Sequence, residues 1–288
     1  MHVWSAAEHV DEERAARLIR AQFAPLPERS VELVSEGWDY VVHRVDGRWV
    51  FRFPRREVVV EGTERELACL PALAELLPVA VPAPVFVGKP GNGYPWPFYG
   101  AAFLPGREAT SADADAIALP LARALRTLHG SELDCELQDD PLGRVDMARR
   151  VPRTREALSE LGELTGAADA LLAEAETLPP PRHTALCHGD LHFRQILVDG
   201  ASLSGIVDWI DICRSDPAVD LSIAWSLLPS TARTTFFGEY GALDREREVR
   251  ARVFAAFVSA MLVQWARAEG VPAVLDEAAA GLQRASEG

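Results

Sequence analysis

The chain has 288 residues, 48% of them apolar, with 29 basic against 43 acidic side chains and a net charge of −14. That length and apolar content suffice for one large domain or two lobes with a substantial core, and they exclude a disordered chain. The acidic balance argues against a partner with a phosphate backbone, since nucleic-acid binders gain affinity from basic surface, and it suits a cationic small molecule or serves solubility alone.

The opening stretch MHVWSAAEHVDEERAARLIR reads as an amphipathic helix with Val10, Ala15, Leu18 and Ile19 on one face, and it lacks the apolar run of a secretion signal. No later segment reaches the roughly 18 uninterrupted apolar residues that a membrane span needs, so no membrane partner is expected. Cys69, Cys135, Cys187 and Cys213 lie far apart with no CxxC pair, which reads as reduced thiols of a cytoplasmic protein. From Val31 to about Leu104 the texture is that of short strands: VELVSEGWDYVVHRV, then WVFRFP after the turn Asp46-Gly47, a dipeptide that favours a tight hairpin. EVVVEGTERELACLPALAELL carries helical periodicity through Leu67, Leu70, Leu73 and Leu77, with Pro71 expected to kink or divide it. PVFVG and FYGAAFL are two more strand candidates around a loop rich in proline and glycine.

After Pro105-Gly106 the pattern turns helical. Thr110 or Ser111 caps a helix through ADAIALPLARALRTLHG, in which Pro120 predicts a kink or a late start. A polar stretch around CELQDDPLGR, helices near 153 to 177 and the turn LPPPRH lead to two short strands, QILVDG and SLSGIVDW, and helices fill the remainder from about Asp216. There is no internal repeat. The expected plan is α+β and bilobal, with a sheet-rich lobe over residues 1–104 and a mainly helical lobe over 105–288 that holds a buried hairpin.

The chemistry concentrates in CHGDLHFRQILV, residues 187–198, where His188, Asp190 and His192 alternate. They are plausible metal-ligand types, yet a catalytic zinc site needs three protein ligands with an open position, and no further histidine cluster supports them. The alternative draws on GIVDWIDICRSDPAVDL. Asp208 ends an apolar strand while Asp190 sits in the loop before the other arm of the same hairpin, so two carboxylates meet at one end and suit Mg²⁺ and phosphate. Phosphoryl transfer needs a group that accepts the proton of an attacking hydroxyl, a carboxylate for Mg²⁺ and commonly an amide oxygen for a second ion, and Asp190, Asp208 and Gln195 supply those chemistries in that order.

These paired motifs resemble those of the aminoglycoside phosphotransferase superfamily, small-molecule kinases with the protein-kinase-like fold that include macrolide phosphotransferases, over about Gly37 to Trp225. The resemblance implies that Asp190 is the catalytic base, Asp208 the principal Mg²⁺ ligand, and Gln195 the occupant of the usual metal-binding Asn position on a stem longer by one methylene. It implies that His188 orders its loop, that Asp220 braces the catalytic loop, and that Asp216 is structural. Asp211 is open between an exposed solvating charge and a group facing substrate. Arg52 in WVFRFPRR stands where such kinases place a cation on the nucleotide phosphates, with Glu66 as its partner; a surface strand arginine, and Glu64 as the acid, are the alternatives.

The glycine-rich loop of protein kinases is missing. Gly37 offers a flexible turn whose backbone could approach phosphates instead, and the backbone groups of Ala102, Phe103 and Leu104 in the connector are expected to meet a purine, although packing alone also explains them. The function so implied is transfer of the γ-phosphoryl of ATP or GTP to a hydroxyl of an antibiotic, with Mg²⁺, in a protein that is a monomer by default. The alternatives are a metabolite kinase acting on a sugar, amino alcohol or amino acid, and a catalytically silent nucleotide-binding protein.

Overall fold

The computed structural model describes residues 7–23, 26, 30–37 and 39–287. The first six residues of the expected N-terminal helix, and Trp38, lie outside them. The chain divides into two compact units, one of residues 1–75 and 80–104, the other of residues 76–79 and 105–288.

The first unit holds helix α1 (Glu12–Gln22), strands β1 (Val31–Glu36), β2 (Tyr40–Val45) and β3 (Trp49–Pro54), helix α2 (Val60–Leu76), and strands β4 (Pro84–Gly88) and β5 (Phe98–Ala102). The strands form one antiparallel sheet in the order β1-β2-β3-β5-β4. Asp46 and Gly47 both take positive φ, 50° and 66°, in the short turn that joins the paired Val45 and Trp49. Alternation along β3 sends Phe51 and Phe53 into a core with Leu18, Ile19, Val41, Tyr94 and Phe98, and leaves Arg52 on the other face. Gly100 admits this aromatic packing, since a Cβ there would stand 2.6 Å from the Phe51 ring. Helix α2 does not divide at Pro71 but runs through it, held by its buried face of Glu66, Cys69, Leu70 and Leu73. Burial of that face outweighs the one backbone hydrogen bond that proline removes.

The second unit begins with β6 (Arg107–Glu108) and α3 (Ala114–His129), which is continuous through Pro120. A reciprocal capping box between Thr110 and Asp113 starts the turn that leads into α3. There follow α4 (Met147–Leu161), α5 (Gly166–Ala175), β7 (Ala185–Cys187), β8 (Ile196–Asp199), β9 (Ser202–Ile206) and β10 (Cys213–Ser215). The chain then closes with α6 (Ala218–Leu221), α7 (Ile223–Ser226), α8 (Ser230–Tyr240), α9 (Arg245–Glu269) and α10 (Pro272–Glu287). Strands β8 and β9 form the expected hairpin, with β6 added on the β8 side, and β7 pairs separately with β10. Helix α9 is long and apolar enough to cross a membrane by length and composition, but 72% of its apolar window is buried, against α4, α5, α6, α7 and α10, and it is the core helix of this unit. All four cysteines are free.

Candidate active site

In the first unit, the guanidinium of Arg52 donates to Glu66 Oε1 at 2.8 Å and to the Tyr99 hydroxyl at 3.2 Å, and lies 4.2 Å from the centre of the Tyr40 ring. Glu66 is fully buried on α2, whereas Glu64 is exposed. A buried carboxylate is stable there because the cation meets it directly, and the planar guanidinium packs on the aromatic ring while keeping its charge. Gly37 N–H donates to the Tyr40 carbonyl at 2.9 Å, and its own carbonyl accepts from Arg55. In the connector, Phe103 N–H is taken by the Arg48 carbonyl at 2.8 Å, so that donor is already engaged.

In the second unit, β7 ends at Cys187 and the chain turns through His188, Gly189 and Asp190. Gly189 has φ 93°, and a Cβ on it would stand 2.2 Å from the Asp211 carbonyl oxygen, so the loop seats here only with glycine at this position. Asp220, fully buried on α6, accepts the backbone N–H of His188 at 2.7 Å and of Gly189 at 2.9 Å, and its Oδ2 lies 3.0 Å from His129 Nε2. Burial works against its charge, but the His129 bond and these amides hold its carboxyl below the ordinary value. The His188 ring spans the loop: Nδ1 accepts Asp190 N–H at 3.4 Å, Nε2 faces the Val207 carbonyl at 3.0 Å, and the ring packs 4.6 Å from Trp209. Its ring nitrogens are thereby turned to backbone groups.

Asp190 is partly exposed at the loop tip. Burial lifts its carboxyl to about 7, Asp211, Asp208 and Asp220 add to the rise, and Arg144 opposes it. A carboxylate poised near neutrality is suited to take a proton from a hydroxyl. Asp208, just beyond β9, holds φ 68°, an uncommon left-handed conformation for a residue with a side chain. Its carboxylate is a hard oxygen donor of the kind that Mg²⁺ takes.

Gln195 is buried with its side chain folded back: Oε1 accepts His192 N–H at 3.0 Å and Nε2 donates to His192 Nε2 at 2.9 Å. One of the two acceptor positions on its oxygen is used, which leaves one for a metal or water. Burial holds the His192 imidazole down at about 3, so the ring is neutral. Asp216 accepts from Ala218 N–H at 2.9 Å and from Arg247 at 3.0 Å, and so fastens the start of α6. Among the described residues, the grouping whose atoms come close enough for a metal is His129, Cys187 and Asp220, not the three alternating residues of the HGDLH stretch.

Sequence reasoning missed Arg144. Its guanidinium is buried in the loop between α3 and α4 and donates to Asp140 Oδ1 at 2.8 Å and to Asp211 Oδ1 at 2.5 Å. Asp211 is therefore ion-paired. The signal was absent because Arg144 and Asp211 stand 67 residues apart in a polar stretch without periodicity.

A family model described as "Phosphotransferase enzyme family" matches residues 30–254. No curated protein matches the chain. Among solved structures, the GDP and kanamycin complex of APH(2")-IIia is 22% identical with a TM-score of 0.69, covering 95% of this chain and 98% of the other. The macrolide 2'-phosphotransferase MphH from Brachybacterium faecium, as apoenzyme, is 22% identical with a TM-score of 0.61, covering 94% and 98%. The ADP-bound aminoglycoside phosphotransferase APH(2'')-Ib is 17% identical with a TM-score of 0.60, covering 94% and 98%. At these identities the likeness establishes a shared fold.

Proposed function

Because the chain belongs to the phosphotransferase enzyme family, we propose that it transfers the γ-phosphoryl group of ATP or GTP to a hydroxyl of a small molecule, an antibiotic of the aminoglycoside or macrolide type. The observation that carries this reading is Asp190, lifted to about 7 on a loop that the buried Asp220 braces through two backbone amides. In its ionised form Asp190 orients the acceptor hydroxyl and takes its proton as the oxygen bonds to phosphorus and the nucleoside diphosphate leaves. Arg52, kept in place by Glu66, is offered to the nucleotide phosphates as a charge-assisted donor.

Asp208 would hold Mg²⁺, with the remaining acceptor position of the Gln195 oxygen as a second donor; the ion would supply neutralisation of phosphate charge. The nucleotide complexes among the relatives support a nucleoside triphosphate as donor, since GDP and ADP are what it leaves behind. Aminoglycosides appear in some of those complexes and macrolide enzymes share the fold, which supports a hydroxylated antibiotic as acceptor.

The test is a coupled assay for nucleoside diphosphate release with ATP and with GTP, run across aminoglycosides, macrolides, sugars, amino alcohols and amino acids. Turnover with an antibiotic at micromolar to submillimolar KM is expected. Turnover confined to a metabolite would replace the acceptor, and the lack of release with every acceptor and with both nucleotides would remove the reading altogether.

A further inference from the structure

The loop between α3 and α4 is built around one cation. Asp140 accepts the backbone N–H of Leu142 at 3.1 Å and of Arg144 at 2.5 Å, and its side chain is 1% exposed. The loop is fixed to β10 by Asp140 N–H on the Arg214 carbonyl at 2.8 Å and Arg214 N–H on the Gln138 carbonyl at 2.9 Å. The Arg144 carbonyl accepts from Arg150 Nε at 2.8 Å. The guanidinium, 5% exposed, thus leaves a rigid base and reaches Asp211, whose side chain is 34% exposed. Asp211 in turn lies against the catalytic loop, its carbonyl oxygen where a Cβ of Gly189 would fall.

We propose that Arg144 is a positioning residue of the phosphoryl-transfer site: it clamps Asp211 beside Asp190 and offsets the negative charge that Asp211 would otherwise direct at the base. This rests on Asp190 being that base. The charged groups facing Asp190 are Asp211, Arg144, Asp208 and Asp220, and Arg144 is the cation among them. Burial works against the Arg144 charge, yet Asp211, Asp190 and Asp140 outweigh it and hold the guanidinium protonated. A guanidinium suits the task because its fork places separate N–H groups on two carboxylates, which a single ammonium on a flexible stem does not reproduce. With Oδ1 of Asp211 held by Arg144, the rest of that partly exposed carboxylate is what remains for a hydrogen-bond donor on the phosphoryl acceptor.

The test compares wild type with Arg144→Met, Arg144→Gln, Asp211→Asn and the double variant Arg144→Met/Asp211→Asn. Each is checked by circular dichroism, by thermal melting and by calorimetric binding of Mg·ADP and Mg·GDP. Turnover of ATP and GTP is followed against pH, with kanamycin, a macrolide or water as acceptor. Arg144→Met is expected to bind nucleotide within about twofold of wild type, to lose kcat by about 10- to 100-fold, and to move the acid limb of the kcat profile up by about one pH unit.

Removing Asp211 as well deletes the charge that Arg144 compensated, so the double variant should recover much of that limb and turn over faster than Arg144→Met. If Arg144→Met does not fold, Arg144→Gln with and without Asp211→Asn makes the same comparison, since its uncharged amide can still donate to Asp140. A double variant no better than Arg144→Met, with the acid limb unmoved in both, overturns the role and leaves Arg144 a folding residue. Wild type without turnover under any condition overturns the kinase reading itself, and the role of Arg144 with it.

Discussion

Asp190→Asn separates the cost of the base from its use. The native carboxyl stands at about 7 against an ordinary 3.8, because burial and the neighbouring carboxylates penalise its charge. That difference corresponds to about 4 kcal/mol between the two protonation states, and partial exposure of Asp190 to water reduces the effective value to about 1–2 kcal/mol. The sign follows from linkage. A group with a raised native pKa contributes stability that is fully present below its unfolded value and is lost as pH rises through its native value. The ionised Asp190 therefore strains the fold above pH 7, and an uncharged amide of the same shape does not. Asp190→Asn should be more stable than wild type at pH 8 by about 1–2 kcal/mol in urea unfolding, and the gap should shrink as pH falls toward the unfolded value and vanish below about pH 3. Turnover should fall by about 10² to 10⁴ in the same variant. A gap independent of pH, or an asparagine variant less stable at pH 8, would refute the account of Asp190 as a base held at electrostatic cost.

Other substitutions probe the supports of the site. Gly189→Ala combines a strained positive φ with a Cβ placed 2.2 Å from the Asp211 carbonyl, and should abolish turnover and lower stability by about 2 kcal/mol or more, read by activity and thermal melting. Asp220→Asn puts an amide donor among two backbone N–H donors and His129, at a cost of about 3 kcal/mol by denaturant titration. Its native carboxyl is held low, so the wild-type advantage is present at neutral pH and disappears as pH falls through that lowered value. Glu66→Gln removes the charge that compensates Arg52 and should destabilise the first unit by about 3 kcal/mol while weakening nucleotide binding about tenfold, measured by calorimetry with Mg·ADP. Gln195→Ala deletes the side chain that holds His192 N–H and should cost about 1 kcal/mol in urea unfolding.

Local grammar carried much of this fold. The Asp46-Gly47 hairpin, the alternation that sets Arg52 opposite Phe51 and Phe53, and the β8–β9 hairpin around Asp199-Gly200 each follow from a few adjacent residues whose conformational preferences agree. What local grammar does not encode is who meets whom across the chain. Strand β6 has only two residues and acquires its identity from pairing with β8, and β7 finds β10 far along the chain, with Leu186 opposite Arg214. Pro71 and Pro120 look like breaks in sequence and are none in structure, because the apolar faces on either side are buried together. Arg144 is the sharpest case, a polar residue in a polar segment whose partners are set by tertiary folding.

The same distinction bears on Gln195. Read as a letter in a motif, its additional methylene is a misfit for metal ligation. In the folded loop, that length lets the amide reach back three residues, accept the His192 amide and donate to the His192 ring. A shorter amide would give up one or both bonds, and with them the reciprocal cap that starts the turn into β8. The carbonyl of Gln195 also accepts Val207 N–H at 2.9 Å, next to Asp208. Order imposed at Gln195 therefore passes through one backbone bond to the segment that carries the proposed metal ligand. The longer side chain is accounted for by that positioning, and one acceptor position on its oxygen is left over.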